Sequence, residues 1–76
     1  MNFIRINENF EISEGSDYEL IDRYACKITS KGVLNALKDG AVACAFAKGA
    51  EAYARTDGSI AIAHTEGAIA KSRAKG

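Results

Sequence analysis

The chain has 76 residues, with ten Lys and Arg balancing ten Asp and Glu for a net charge of zero. That length makes one domain with a small core, a size that buries only about 60% of its unfolded surface and usually needs extra support. No apolar run is long enough to span a membrane as a helix, and "MNFIRINENF" lacks the pattern of a signal peptide. The expected compartment is therefore the cytoplasm, where Cys26 and Cys44 stay reduced. The balance of charge is uneven along the chain. Residues 1–24 hold six acids against Arg5 and Arg23, and the remainder holds eight Lys or Arg against four acids.

Residues 1–31 read as an N-terminal cap on a repeat region spanning 32–76. Within the cap, "FIRI" and "FEI" flank a polar "NEN" and predict a short hairpin. The next stretch, "SDYELIDRYACKI", has two readings. Ser16 and Glu19 form a capping box, and Leu20, Ile21, Tyr24, Ala25 and Ile28 follow helical spacing, which predicts a short helix. "DRYACKITS" (22–30) and "KGVLNALKD" (31–39) also read as degenerate repeat units, with Gly32 at a small-residue position one place late. "SKGVLNALKDG" has a helical reading too, closed by Gly40.

From residue 40 the organisation is explicit. Glycine recurs at 40, 49, 58, 67 and 76, giving "GAVACAFAK", "GAEAYARTD", "GSIAIAHTE" and "GAIAKSRAK". Alternate positions are Ala or Ser (Ala43, Ala52, Ala61, Ala70; Ala45, Ala54, Ala63, Ser72), and the positions between them carry Phe, Ile, Tyr, Glu, Lys and Arg. A period of two is the strand period, and the face that holds only tiny residues is the enclosed one. Alanine is the best helix former, but a glycine every nine residues costs about 1 kcal/mol each in helix interiors, and the large residues recur at two. The expected fold is mainly β: a small β-solenoid or roll of nonapeptide units, two units per 18-residue coil.

In that register residues 18 apart stack. One outer wall becomes Tyr24/Val42/Ile60, Cys26/Cys44/Ile62 and Ile28/Phe46/His64. The other becomes Val33/Glu51/Ile69, Asn35/Tyr53/Lys71 and Leu37/Arg55/Arg73. The apolar wall, through Val42, Phe46, Ile60 and Ile62, is the expected self-association surface of a homodimer. The mixed wall, through Glu51, Tyr53, Arg55, Lys71 and Arg73, is the expected surface for a protein partner, since Tyr and Arg dominate binding energy.

Residues 40–76, with "GSIAIA" the nearest piece, resemble the short Gly/Ala-rich β-solenoid repeats of small bacteriophage proteins. The pattern is also similar to the S-x-A-I-G repeats of trimeric autotransporter heads, which are longer and lie in secreted, membrane-anchored chains. The phage-type resemblance implies a small intracellular accessory protein. Within that class it implies an inhibitor of a host bacterial defence complex, anti-CRISPR-like, acting by occupying a protein surface. The alternative it implies is a structural repeat module of a fibre or adhesin.

No residue set spells out a reaction. His64 is the only histidine and no Ser or Cys carries a cue for pairing with it. Cys26 and Cys44, 18 apart, are expected to stack as free thiols. Asp39 and Asp57 precede glycine instead of forming a calcium-roll pattern, and "GAEAYARTDG" lacks the ending of a phosphate loop. No catalytic residue, metal or cofactor is expected, and the reading is of a non-enzyme. Lys71, Arg73 and Lys75 read as a solvated end, not a nucleic-acid contact, and no membrane partner is expected.

Overall fold

The computed structural model describes residues 2–72 as a mainly β structure of nine strands. Strands β1 (Phe3–Arg5), β2 (Phe10–Ser13), β5 (Gly32–Ala36), β7 (Ala50–Ala54) and β9 (Ile69–Ser72) form one sheet in the order β1-β2-β5-β7-β9. Strands β3 (Tyr18–Asp22), β4 (Ala25–Ile28), β6 (Val42–Ala45) and β8 (Ile60–Ala63) form the other in the order β3-β4-β6-β8. From β4 onward the chain alternates between the sheets, and from β6 onward each new strand adds parallel to the one before it in its own sheet.

The registers carry the sequence period. Val42 pairs with Ile60, Ala43 with Ala61, Glu51 with Ile69 and Tyr53 with Lys71, all 18 residues apart. Between the sheets the alternation buries only methyl groups. Ala43, Ala45, Ala50 and Ala52 have no exposed surface and Ala54 has 1%. The enclosure fails in the last pair of strands, where Ala61 is half-buried and Ala70 is exposed, because no strand covers their far side among the described residues.

Each unit closes with a turn that has the same i to i+3 hydrogen bond. Ala41, Ala50, Ser59 and Ala68 N–H donate to the carbonyls of Lys38, Ala47, Thr56 and Thr65. At Gly49 the third turn residue has φ 83°, the left-handed value that a type II turn demands and a side chain resists. Gly58 serves differently. Its φ is not positive, and a Cβ there would lie 2.6 Å from Asp39 Cγ. The absent side chain lets Gly58 N–H donate to Asp39 Oδ1 at 3.0 Å, so one turn rests on the turn 18 residues earlier.

The N-terminal segment departs from expectation in part. The first hairpin forms, with Ile4 opposite Ile12. The short helix over 16–28 does not: Tyr18–Asp22 is a strand antiparallel to β4, and no helix occurs among the described residues. Ser16 caps nothing; its Oγ donates to the Lys31 carbonyl, and Glu19 pairs with Lys27 at 3.5 Å. The parallel ladder begins at Ala25, inside the segment read as cap. Its first register is 17, not 18, so Cys26 pairs with Ala43 and Lys27 with Cys44. The reason is the strand's own pattern. A register of 18 turns Lys27 into the interior with no partner, whereas the shift buries Cys26 and Ile28 completely and turns Lys27 out.

Phe10, Ile12, Cys26, Ile28 and Leu34 fill this first, wider part of the core. Buried polar groups at this end are tied in. Asn9 Nδ2 donates to the Arg23 carbonyl at 2.8 Å, Leu37 N–H donates to the Asn9 carbonyl, and Val33 N–H donates to Ser13 Oγ at 2.9 Å. Across the surface Arg23 Nε donates to Glu8 Oε1 at 2.8 Å.

The methyl-only interior makes a contrast measurable by chemical denaturation. Ala52→Leu overpacks a closed site and costs about 1–3 kcal/mol or more, while Ala70→Leu stays within about 0.5 kcal/mol of the parent. Equal effects contradict the enclosure. Acid gives a second test. The hydrogen bond from Arg23, and then its charge, hold Glu8 below its ordinary 4.5. The Thr56 hydroxyl, and then Gly58 N–H, hold Asp39 below its ordinary 3.8. A depressed carboxylate contributes stability above its unfolded pKa and loses it as pH falls through its folded one. The melting temperature is therefore level from about pH 7 to 5 and drops below about pH 4, with a smaller drop in Glu8→Gln/Asp39→Asn. A rise in melting temperature on acidification contradicts this.

Candidate partner-binding faces

Both outer walls are built by strand alternation on parallel ladders, so side chains 18 residues apart lie side by side. On the five-stranded sheet the row Glu11, Asn35, Tyr53, Lys71 follows the registers β2–β5, β5–β7 and β7–β9. A connected network runs along it. Asn35, itself 2% exposed, donates from Nδ2 to Glu11 Oε2 at 2.9 Å and accepts from Arg55 Nε at 2.9 Å. The Arg55 guanidinium lies over the Tyr53 ring, 4.5 Å from its centroid, and Tyr53 donates its hydroxyl to Glu51 Oε1. That hydrogen bond holds the phenol above its usual range, with burial and the Glu51 charge adding to it, so Tyr53 stays a donor at neutral pH.

Four of the five residues expected to meet a partner therefore share one face. Glu51 and Arg55 each contact Tyr53, and Lys71 sits in register beside Tyr53 on β9. Arg73 lies outside the described residues. Sequence reading missed Glu11, and Arg5 opposite it, because they join this face through antiparallel strands that the nonapeptide period does not reach. Asn35 was placed on the wall, but its role as the link between Glu11 and Arg55 had no signal in the spacing.

The apolar wall is built as expected at Val42/Ile60 and Cys44/Ile62, and His64 stacks on Phe46 with centroids 4.6 Å apart. The three rows beneath are corrected by the register of 17: Ala25, not Tyr24, pairs with Val42; Lys27, not Cys26, pairs with Cys44; and Ile28 is inside, not under Phe46. Lys27 Nζ lies 4.9 Å from the Phe46 ring centroid, a cation over an aromatic face, and Glu19 sits beside it. Val42 and Phe46 are half-buried by these neighbours, while Ile60 and Ile62 remain 51% and 39% exposed.

The two thiols do not stack, since Cys26 faces inward and Cys44 outward. Burial, and then the neighbouring Cys44, push the Cys26 thiol up to about 12, and burial raises Cys44 against the pull of Lys27. Among the described residues no group of three or more His, Cys, Asp and Glu is placed to hold a metal ion. Comparison with protein-family models, characterised proteins and solved structures returns no significant match.

Thiol chemistry tests this placement. In the native protein Cys26 should be inert to a disulfide reagent at pH 8 and Cys44 slow, with both reacting on denaturation. Mild oxidation should give no bond between them. Rapid reaction at both, or a Cys26–Cys44 disulfide, contradicts the register.

Proposed function

We propose that the chain is a short β-solenoid that works as a non-enzymatic interaction protein, binding a protein partner through the outer face of its five-stranded sheet. The observation that carries this is the cluster of Tyr53, Arg55 and Glu51, held in one arrangement by Asn35 on a rigid ladder with Lys71 beside it. Tyr and Arg anchors already fixed in place lose little freedom on binding. The setting proposed is the one its phage-type resemblance implies: occupation of the surface of a bacterial defence complex such as a CRISPR effector. Homodimer formation belongs to the same reading. A structural role in a repeat array is the competing reading, and the parallel addition of β8 to β6 and of β9 to β7 in one constant register favours it.

The test is a panel of purified CRISPR effector complexes, scored for binding by interferometry and for DNA cleavage. One of them should be bound and inhibited. Tyr53→Ala/Arg55→Ala should weaken that binding at least about thirtyfold with the fold intact. No inhibition across the panel overturns the defence setting, and unchanged binding by the double variant overturns the face.

A further inference from the structure

Strand β3 borders the four-stranded sheet, with β4 on one side and no strand on the other among the described residues. It is internal to the chain, and its neighbours fix how its backbone is used. Thr29 N–H donates to the Asp17 carbonyl at 2.9 Å, in line with the register that sets Tyr18 opposite Ile28. Bonded and non-bonded pairs alternate along an antiparallel ladder, so Glu19 and Lys27 form the next bonded pair. The N–H and C=O groups of Tyr18 and Leu20 therefore point away from β4. The side chains alternate as well. Tyr18 and Leu20 lie opposite Ile28 and Cys26 on the inner side, yet they are 47% and 43% exposed while Ile28 and Cys26 have no exposed surface. Glu19 and Asp22 lie opposite Lys27 and Ala25 on the outer side, with Asp17 two places before Glu19. Glu19 meets Lys27, but neither Asp17 nor Asp22 has an ion-pair partner among the described residues.

We propose that β3 is a docking edge for an extended basic segment of a partner protein, in which Lys or Arg alternates with apolar residues. Such a segment adds to the sheet as a further strand and takes up the backbone hydrogen bonds of Tyr18 and Leu20. Residues directly opposite on neighbouring strands share a face. Its apolar side chains therefore cover Tyr18 and Leu20 on the inner side, and its cations stand beside Asp17, Glu19 and Asp22 on the outer side. Charge selects the occupant. A second copy pairing through its own β3 sets another row of carboxylates against this one, and like charges on neighbouring strands oppose pairing. An acidic segment meets the same repulsion. A purely apolar strand removes water from Asp17 and Asp22 and supplies no cation in return. This edge belongs to the other sheet from Tyr53 and Arg55, so partner binding through those residues stands or falls separately.

Two short peptides with blocked ends serve as probes, one alternating Lys with Val and the other Glu with Val. Titrated into the full isotope-labelled chain at low salt, the Lys/Val peptide should bind and slow hydrogen exchange at the Tyr18 and Leu20 amides at least about tenfold. The Glu/Val peptide should not bind. Asp17→Asn/Asp22→Asn keeps an acceptor for the Tyr24 N–H and should fold like the parent. It should bind the Lys/Val peptide about tenfold less tightly, a gap that closes as salt is raised. Tyr53→Ala/Arg55→Ala should bind that peptide as the parent does. The proposal is overturned by no binding of the Lys/Val peptide, by equal binding of both peptides, or by binding that leaves the Tyr18 and Leu20 amides unchanged. Unchanged affinity in Asp17→Asn/Asp22→Asn, or loss of binding in Tyr53→Ala/Arg55→Ala, also overturns it. So does a dimer of the chain alone in which the Leu20 amide is already protected.

Discussion

Between β6 and β7 nothing larger than a methyl group separates the two sheets, because Ala43 and Ala45 on one side and Ala50, Ala52 and Ala54 on the other are all enclosed. Much of the structure follows from that narrowness. Strands so close together leave no room for a wide return, so each unit reverses in a four-residue turn with an i to i+3 hydrogen bond, and glycine recurs at the same place in each turn. The larger side chains of the alternation are thereby driven outward. They form two ladders whose chemistry is free to vary while the interior is not.

So thin an interior contributes little burial per residue, and the N-terminal end supplies what the repeats lack. Phe10, Ile12, Cys26, Ile28 and Leu34 make a thicker core where β2 adds antiparallel to β5 and β3 adds antiparallel to β4. The two ends of the molecule are therefore unlike. One is filled by large apolar side chains and finished by hairpins; the other has only Ala and Ser at its inward positions. The outer faces differ in the same way. One carries a hydrogen-bonded chain from Glu11 to Arg55, and the other an aromatic pair under a lysine.

The nonapeptide period was legible because alternation and turn chemistry agree from residue 40 onward, and it placed Val42/Ile60, Glu51/Ile69 and Tyr53/Lys71 correctly. Before residue 32 the cues conflict. "SDYELIDRYACKI" satisfies helical spacing with Leu20, Ile21 and Tyr24, yet pairing with β4 puts Leu20 opposite Cys26 and makes the segment a strand. Local propensity gives way there to ladder hydrogen bonds and to the burial of Cys26 and Ile28. The shift from 18 to 17 was illegible for the same reason. It is set by keeping Lys27 out of the core, a cue carried by the alternation of Cys26, Lys27 and Ile28 that the nonapeptide spacing runs against. On the mixed face Glu51, Tyr53 and Arg55 could be read from spacing, but Glu11 could not, since an antiparallel strand brings it there.

The central claim is a pair of parallel ladders with registers of 18 and, at their start, 17. Nuclear Overhauser contacts between backbone protons on neighbouring strands test it most directly. The account predicts contacts joining Ala43 with Ala61, Ala52 with Ala70 and Cys26 with Ala43. Contacts that instead place Cys26 level with Cys44, or helical contacts between residues three apart across 16–28, would contradict it.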